Sequence, residues 1–272
     1  MVIAGCILCI RRFLCAASAG ESNYFYKVYT EEPIAAHTRI CLWSSPRNIS
    51  TALMYAFAQR KDTTVVDEPL YGYYLATSGA QHPGREEVMQ SMDCDGPSVV
   101  SKVLLGSYAT PILFFKHMTH HMVGNLSPHF MQHMINVFFI RDPKYILRSY
   151  AKVISTPTLA DIGLDKQLDH VLFARANGYR YLILDAGDIL DDAEKALQHL
   201  CAALDIPFDN RMLSWEPGAI KEDGVWAKYW YDQVHRSRGF EQRVDDEVLL
   251  SPALEQVYLE ALPVYQTLRN MK

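Results

Sequence analysis

The sequence predicts a single α/β domain, with a central parallel sheet of about five strands flanked by helices. Short apolar or β-branched runs alternate with amphipathic helical patterns along the chain, as they do in successive βαβ units. The length of 272 residues fits one large domain, and no internal repeat, low-complexity tract or convincing linker divides the chain.

The strand candidates are short runs rich in apolar and β-branched residues. We expect them at residues 40–43, 63–66, 111–115, 135–140 and 180–185. Helical spacing is found at residues 50–60, 70–75, 86–92, 99–105, 143–153, 158–177, 192–204 and 249–268. Residues 207–232, with their tryptophans, glycines and prolines, predict an irregular segment. Strands and helices that alternate in this way give a parallel sheet covered by helices on both faces.

The composition excludes some classes of function. Hydrophobic residues make up 49% and charged residues 21%, which is ordinary for a globular enzyme. The net charge of −5 argues against general nucleic-acid binding, which requires a basic surface, so an anionic ligand would need locally placed arginines and lysines. The six cysteines are scattered and predict a reducing compartment, and the Cys6–Cys9 pair lacks the second pair of a zinc ribbon.

The first twenty residues differ from the rest of the chain. They contain no acid, and Arg11 and Arg12 interrupt an apolar run that is too short to span a bilayer. A presequence and a loosely packed extension both fit this pattern. We therefore expect an N-terminal extension at residues 1–37 before a domain at 38–272. We also expect no stable membrane insertion, and a cytoplasmic location, or an organellar one if residues 1–20 are a presequence.

The first predicted strand leads into a small polar loop and then a helix that begins near Ser50. The unpaired N–H groups and the dipole of a helix N-terminus favour an anion at such a place. Arg47 adds a permanent positive charge, and Ser50 and Thr51 add hydroxyl donors. An ordinary turn between strand and helix, with a serine or threonine as N-cap, is the alternative.

Residues 45–51, which read Ser-Pro-Arg-Asn-Ile-Ser-Thr, resemble the 5′-phosphosulfate loop of sulfotransferases that use 3′-phosphoadenosine 5′-phosphosulfate (PAPS). That loop often reads P-K-S-G-T-T or P-R-S-G-S-T, and Ile49 takes the place of its usual glycine. The glycines and lysine of a nucleotide-triphosphatase loop are missing. The resemblance implies a fold with a P-loop-like phosphosulfate-binding loop. The residues it implies for the phosphosulfate are Arg47, Asn48, Ser50 and Thr51.

A second motif lies after the fourth predicted strand. Residues 141–143, Arg-Asp-Pro, are followed by Ser149, and this pattern is similar to the family's 3′-phosphate motif. The resemblance implies that Arg141 and Ser149 hold the 3′-phosphate. Residues 221–228 resemble the late loop that covers the cofactor in this family, which implies roles for Lys221 and Gly224.

Sulfuryl transfer requires positive charge on the leaving phosphate and a base for the acceptor. The resemblance implies Arg47 for the charge, together with Lys116, which ends the third predicted strand like the lysine of the family's K-T-H sequence. It implies either Glu68 or His117 as the base, and we favour Glu68 because His117 is one residue out of that register. The expected acceptor is a hydroxyl or amine of a small molecule. No metal is required, and a homodimer stays open.

Histidines cluster between residues 117 and 133. His117 with His121, and His129 with His133, have the i, i+4 spacing that could place two metal ligands on one helical face. No H-E-x-x-H sequence and no interleaved acid occur, so structural histidines are favoured. The tyrosines of residues 71–74 fit either an acceptor pocket or aromatic core packing.

Three other functions stay open. A kinase-like phosphotransferase on the same scaffold would bind ATP with Mg²⁺, but it would need a loop lysine that is missing here. A non-catalytic nucleotide-binding scaffold would keep the anion cradle without turnover. A histidine-ligated metal hydrolase is the least favoured.

Overall fold

A computed structural model describes residues 37–152, 157–241 and 248–272. The strands are β1 (Thr38–Ser44), β2 (Thr63–Asp67), β3 (Ile112–Met118), β4 (Ile135–Ile140) and β5 (Tyr181–Asp185). They form one parallel sheet in the order β2-β3-β1-β4-β5, which confirms the predicted fold class. The expected N-terminal extension and the Cys6–Cys9 pair lie outside the described residues, except for His37.

The strand order determines where a ligand can bind. From β1 the chain builds β2 and β3 on one side, and it then crosses to the other side to build β4 and β5. Open α/β sheets bind ligands at the carboxyl edge of the strands, at the point where the strand order reverses. That point is the end of β1, where the loop at residues 45–49 begins.

Helices cover both faces of the sheet. They are α1 (Ser50–Ala58), α2 (Tyr71–Ser78), α3 (Arg85–Ser91), α4 (Gly96–Val99), α5 (Pro143–Tyr150), α6 (Leu159–Ile162), α7 (Leu164–Ala176), α8 (Ala186–Asp191), α9 (Ala193–Leu204), α10 (Ala227–Trp230), α11 (Asp232–Arg236) and α12 (Pro252–Asn270). A π-helical turn spans Val100–Leu104, and 3₁₀ turns span Thr119–His121, Pro128–His133 and Asn210–Leu213. No helix in the described ranges is both long and apolar enough to cross a membrane.

The helix predicted at residues 158–177 is two helices in the structure. Gly163 has a left-handed backbone, with φ 65°, and it ends α6 and begins α7. A glycine adopts this conformation without the steric cost that a Cβ would bring, so the chain turns there instead of continuing one helix.

Neighbouring residues of each strand point to opposite faces of the sheet and build two apolar cores. On one face Leu42 and Phe114 pack against α1, where the rings of Phe114 and Phe57 stack with their centroids 4.0 Å apart. On the other face Trp43 and Phe115 belong to the core that α5, α7 and α12 cover. This alternation also decides which polar side chains at the strand ends reach a given face.

A buried amide ties the two central parallel strands together. The Oδ1 atom of Asn136 in β4 accepts a hydrogen bond of 3.0 Å from Nε1 of Trp43 in β1. Its Nδ2 atom donates to the carbonyl oxygens of Met131 and Arg180 at 2.9 and 3.1 Å. Both side chains are fully buried, so each of these groups would lose its partner without gaining water.

We predict that Asn136→Leu lowers the free energy of unfolding by at least about 2 kcal/mol, because it leaves a buried indole N–H and a buried carbonyl without partners. Urea denaturation would measure the change. The exposed Asn125 is the matched control, and we expect Asn125→Ala to stay within about 0.5 kcal/mol of the wild type. Equal stability of the two variants would contradict the account of the buried amide.

Candidate functional site

A cavity of about 390 Å³ opens at the carboxyl edge of the sheet, where the segments after β1, β2, β3 and β4 meet. It brings together the predicted site residues Arg47, Asn48, Ser50, Thr51, Glu68, Lys116, Arg141 and Ser149. His117, Lys221 and Gly224 do not line it. The cavity therefore joins both predicted anion motifs with the favoured base, and the roles of these residues stay predictions.

The loop after β1 has an unusual backbone. Arg47 and Ile49 have left-handed conformations, with φ of 59° and 47°. Ile49 is the N-cap of α1, and among the residues that the structure describes no side chain caps this helix. The N–H groups of its first turn therefore stay available at the cavity, which Ile49, Ser50, Thr51 and Ala52 line. Isoleucine thus adopts a conformation that glycine adopts without strain.

Direct hydrogen bonds connect the two predicted anion motifs. Nε of Arg47 donates to Oγ of Ser149 at 3.0 Å, and Nη1 of Arg141 donates to the carbonyl oxygen of Arg47 at 2.9 Å. Burial lowers the pKa of Arg47 from its ordinary value. Arg148 and Lys152 also line the cavity, and the sequence analysis did not single them out. Positive charge is therefore concentrated where the loop after β1 and the Arg-Asp-Pro motif line the cavity.

Two buried amides hold the loop in place. Nδ2 of Asn48 donates to the carbonyl oxygen of Phe139 at the end of β4. Nε2 of Gln167 in α7 donates to the carbonyl oxygens of Trp43 and Phe139 at 2.9 and 3.1 Å, while its Oε1 accepts a long hydrogen bond of 3.5 Å from Ser45. Gln167 is fully buried. The sequence analysis missed it because its partners lie far away along the chain.

A fully buried lysine lies between the carboxylates at the end of β2. Nζ of Lys116 in β3 contacts Oδ1 of Asp67 at 3.0 Å, Oε1 of Glu68 at 2.5 Å and Oη of Tyr231 at 2.6 Å. Tyr231 also donates to Oδ2 of Asp67 at 2.7 Å, and Nε1 of Trp226 donates to Oη of Tyr231 at 3.2 Å. We call these five residues the lysine cluster.

In the lysine cluster, burial and the neighbouring charges shift the pKa values of Asp67 and Lys116 in opposite directions. Burial is the main cause that raises the pKa of Asp67 to about 6, against the pull of Lys116. Burial lowers the pKa of Lys116, but the two carboxylates outweigh it and the net shift is upward. Lys116 therefore stays positively charged, because its partners compensate the loss of water.

Glu68 keeps one oxygen free of the lysine cluster. Its backbone has φ 41°, and its N–H donates to the carbonyl oxygen of Lys116 at 2.8 Å. Lys116 and Tyr231 both contact Oε1. Oε2 accepts no hydrogen bond from the part of the chain that the structure describes, and Glu68 lines the cavity. The side chain therefore offers one oxygen to a ligand while the lysine holds the other.

The alternation of β3 explains why His117 does not line the cavity. Lys116 points to the face of β3 that carries the cavity, so the next residue, His117, points to the opposite face. There its ring stacks on Trp43 with a centroid distance of 4.4 Å, and its Nε2 lies 3.5 Å from Sγ of Cys41. Burial lowers its pKa to about 3. His117 is therefore a neutral core residue in this structure.

The i, i+4 spacing of His117 and His121 does not place them on one helical face. His117 belongs to β3 and His121 to the turn that follows it, so they do not share a helical face. His129 and His133 both lie in a 3₁₀ turn. Within the described ranges, no group of three or more His, Cys, Asp or Glu side chains could hold a metal ion.

In the late segment of the chain, the residues that line the cavity follow Lys221 and Gly224. The side chain of Lys221 is 89% exposed and lies 3.5 Å from Glu222, and Gly224 lies directly beneath the ring of Trp226. The covering residues are instead Trp230, Tyr231, Gln233, Val234, Ser237, Gly239, Phe240 and Glu241. Gly239 is a sequence signal within this segment, since a glycine can mark a place without room for a side chain. The structure has such a place here, because an added Cβ would lie 2.8 Å from the carbonyl oxygen of Leu213.

The left-handed backbone at residue 49 predicts that a glycine variant is more stable than an alanine variant, which is the reverse of their order inside a helix. Both Ile49→Gly and Ile49→Ala lose side-chain packing, but only glycine relieves the left-handed strain of about 1–2 kcal/mol. We therefore expect the glycine variant to be about 1 kcal/mol more stable than the alanine variant in urea unfolding. At an ordinary helix position the ranking is the reverse. An alanine variant at least as stable as the glycine variant would contradict the assigned strain.

Acid should destabilise the fold through its buried histidines. Burial lowers the pKa of His117 and His120 to about 3, and it lowers the pKa of His121 well below its ordinary value. The unfolded chain binds protons near the ordinary pKa of about 6.5. The stability that these groups contribute is therefore present above that pH and lost below it. The raised pKa of Asp67 acts in the opposite direction between its unfolded value and about 6, but it is one group against these three histidines and against His82 and His170, whose pKa values burial also lowers.

We expect the free energy of unfolding to fall by several kcal/mol between about pH 7 and about pH 5, since each histidine contributes up to ~1.4 kcal/mol per pH unit. Urea unfolding at several pH values would measure this dependence. His117→Gln should reduce it by roughly a fifth to a third. Substitution of the exposed His199 by glutamine is the control and should leave it unchanged. A His117→Gln variant with the wild-type pH dependence would contradict the assignment.

Solved structures of sulfotransferases share this fold. The sulfotransferase domain from the curacin biosynthetic pathway aligns with a TM-score of 0.52 and 13% identity, and the match covers 82% of this chain and 97% of that chain. Mouse sulfotransferase SULT7A1, complexed with PAP, aligns with a TM-score of 0.51 and 16% identity, over 86% of this chain and 89% of that chain. At these identities the likeness concerns the fold alone.

Two curated plant proteins are similar in sequence. Branched-chain-amino-acid aminotransferase-like protein 1 of Arabidopsis thaliana is 37% identical over 239 residues, which cover 88% of this chain and 42% of that protein. Branched-chain-amino-acid aminotransferase-like protein 2 of Arabidopsis thaliana is 36% identical over 227 residues, which cover 84% of this chain and 40% of that protein. The chain thus spans less than half the length of these relatives.

The sulfotransferase domain family matches residues 38–272, from the start of β1 to the last residue of the chain. The match includes the loop after β1, the lysine cluster and the segment that covers the cavity. It agrees with the fold of the solved sulfotransferases and with the resemblance of the two anion motifs. The chain therefore belongs to the sulfotransferase domain family.

Proposed function

We propose that this protein transfers a sulfuryl group from PAPS to a hydroxyl or amine of a small-molecule acceptor. One observation carries the proposal: Arg47 contacts Ser149, and Arg141 contacts the backbone of Arg47, within a single cavity. Two motifs about ninety residues apart in the sequence therefore form one cationic surface. Such a surface fits a donor with phosphate groups at both ends of its ribose.

The residues of the loop after β1 and of the Arg-Asp-Pro motif fit an anionic donor by their chemistry. Arg47 has only neutral oxygens as hydrogen-bond partners among the described residues, namely those of Ser149 and Trp230, so no carboxylate neutralises it there. We assign Arg47, Asn48, Ser50, Thr51 and the first turn of α1 to the phosphosulfate. We assign Arg141 and Ser149 to the 3′-phosphate, with Arg148 and Lys152 as further cations of the same cavity.

The lysine cluster would serve the chemical step. When bound, the donor supplies a sulfuryl group on a phosphate leaving group, and the acceptor oxygen or nitrogen replaces that phosphate at sulfur. Arg47 and Lys116 stabilise negative charge as it develops on the departing phosphate. Oε2 of Glu68 takes the proton of the acceptor while Lys116 holds Oε1, which orients the carboxylate. His117, Lys221 and Gly224 have no place in this proposal, because they do not line the cavity.

A comparison of two nucleotides tests the assignment of Arg141. We expect the wild type to bind adenosine 3′,5′-bisphosphate about 10- to 100-fold more tightly than adenosine 5′-monophosphate, because a charge-assisted contact to the 3′-phosphate contributes about 1.5–3 kcal/mol. Isothermal titration would measure both affinities. Arg141→Ala should remove most of this difference while it leaves monophosphate binding closer to the wild-type value.

The ratio of the two affinities controls for any disturbance of the loop, since Arg141 also contacts the backbone of Arg47. Lys195, an exposed cation outside the cavity, is the matched control, and Lys195→Ala should keep the wild-type ratio. No bisphosphate binding by the wild type would refute the proposed function. An unchanged ratio in Arg141→Ala would refute the assigned role of Arg141.

A further inference from the structure

The strand β5 forms one outer edge of the sheet. It pairs with β4 on one side, and no strand of the described part of the chain lies on its other side. The N–H of Asn136 in β4 donates to the carbonyl oxygen of Arg180 at 3.1 Å. Because alternate residues of a strand direct their backbone groups to opposite sides, the N–H and C=O groups of Tyr181 and Ile183 point to the free edge. These groups have no hydrogen-bond partner among the described residues.

The free edge of β5 lacks the features that usually keep an edge strand from pairing. Its sequence, Tyr-Leu-Ile-Leu-Asp, contains no lysine, proline or glycine. Its one charged side chain, Asp185, is buried, and Oδ2 of this residue accepts a hydrogen bond of 2.7 Å from Oη of Tyr265. An apolar edge strand without such protection is a template for a further strand.

A groove of about 380 Å³ runs along this free edge, with β5 on one side and α9 on the other. We call it the edge groove. Its apolar lining combines Leu182 and Leu184 of β5 with three residues of α9, which are Ala196, Leu200 and Ala203. The spacing i, i+4 and i+7 places these three on one face of α9, and the two alanines leave room beside the strand. The edge groove can therefore accept apolar side chains of an added strand.

Charge is distributed unevenly along the edge groove. Nη2 of Arg180 donates to the carbonyl oxygen of Ala203 at 2.6 Å, so the end of α9 and a basic residue lie at the start of β5. At the other end three aspartates outnumber two lysines, and these residues are Asp188, Asp191, Asp192, Lys195 and Lys272. A strand with the same polarity of charge, paired in the antiparallel direction, would bring unlike charges together.

We propose that a second copy of this chain occupies the edge groove, with its β5 paired antiparallel to the first across a two-fold axis at Ile183. Such an axis pairs a surface with itself, so the free N–H and C=O groups of each edge satisfy those of the other. Leu182 then faces Leu184 of the second copy, which continues the apolar lining beneath α9 from one sheet into the next. Arg180 of each copy lies at the acidic end of the other groove. The inference does not depend on the proposed function, because the edge groove and the cavity at the carboxyl edge of the sheet share no lining residue.

Sedimentation equilibrium of the full chain over a range of concentrations tests the pairing. We expect a dimer that dissociates on dilution. Ala203→Glu adds a carboxylate to the edge groove, where it would approach the aspartates of the second copy, and it should weaken the dimer at least about tenfold. Ala202 is the matched control, because it is the exposed neighbour on the same helix and does not line the groove. Ala202→Glu should keep the dissociation constant within about twofold of the wild type.

Oxidative cross-linking tests the position of the two-fold axis. Hydrogen-bonded residues that face each other in an antiparallel pair have Cα atoms about 5.5 Å apart, a distance that a disulfide can bridge. Ile183→Cys should therefore form a disulfide-linked dimer with oxidised glutathione, at least about fivefold above the background that the wild-type cysteines give. Leu182→Cys is the control and should stay at that background, because Leu182 faces residue 184 of the second copy and not its own counterpart.

Three outcomes would overturn the inference. A wild type that stays monomeric up to about 100 µM would mean that no second copy occupies the edge groove. A dimer that Ala203→Glu leaves unchanged would have its interface elsewhere, and so would a dimer in which folded Ile183→Cys cross-links only at the background level. Ala203 is exposed, so Ala203→Glu decides the question if Ile183→Cys does not fold.

Discussion

The buried positive charge of Lys116 is the constraint on which the site depends. A lysine removed from water needs compensating charge, and Asp67, Glu68 and Tyr231 supply it from the end of β2 and from the segment after α10. An ion pair of this kind adds little net stability, because the cost of desolvation offsets the attraction. Its effect is positional: it fixes the covering segment against the sheet and leaves one oxygen of Glu68 at the cavity.

The second constraint is the concentration of positive charge in one cavity of an acidic chain. The chain is acidic overall, yet four cations besides Lys116 line one cavity: Arg47, Arg141, Arg148 and Lys152. The carboxylates of Asp67 and Glu68 pair with Lys116. The cations that would hold a polyanionic donor therefore share one cavity with Glu68 and Lys116, which is the arrangement that the proposed transfer requires.

Local sequence signals predicted the strands, the loop after β1 and the Arg-Asp-Pro motif, because each depends on neighbouring residues. Long-range contacts decided the rest. Gln167 and Tyr231 find their partners far along the chain, which no local pattern records. His117 does not line the cavity, because alternation along β3 directs it to the face opposite Lys116. Residue 49 shows the limit of motif matching, since the fold imposes the left-handed conformation on isoleucine.

The most direct test of the account is transfer of labelled sulfate from PAPS to a panel of hydroxyl and amine acceptors. The wild type should label at least one acceptor. Lys116→Met, which keeps the length of the side chain without its charge, should reduce the rate at least about 100-fold while adenosine 3′,5′-bisphosphate still binds. Absence of label in every acceptor although the donor binds, or a Lys116→Met variant as fast as the wild type, would contradict the account.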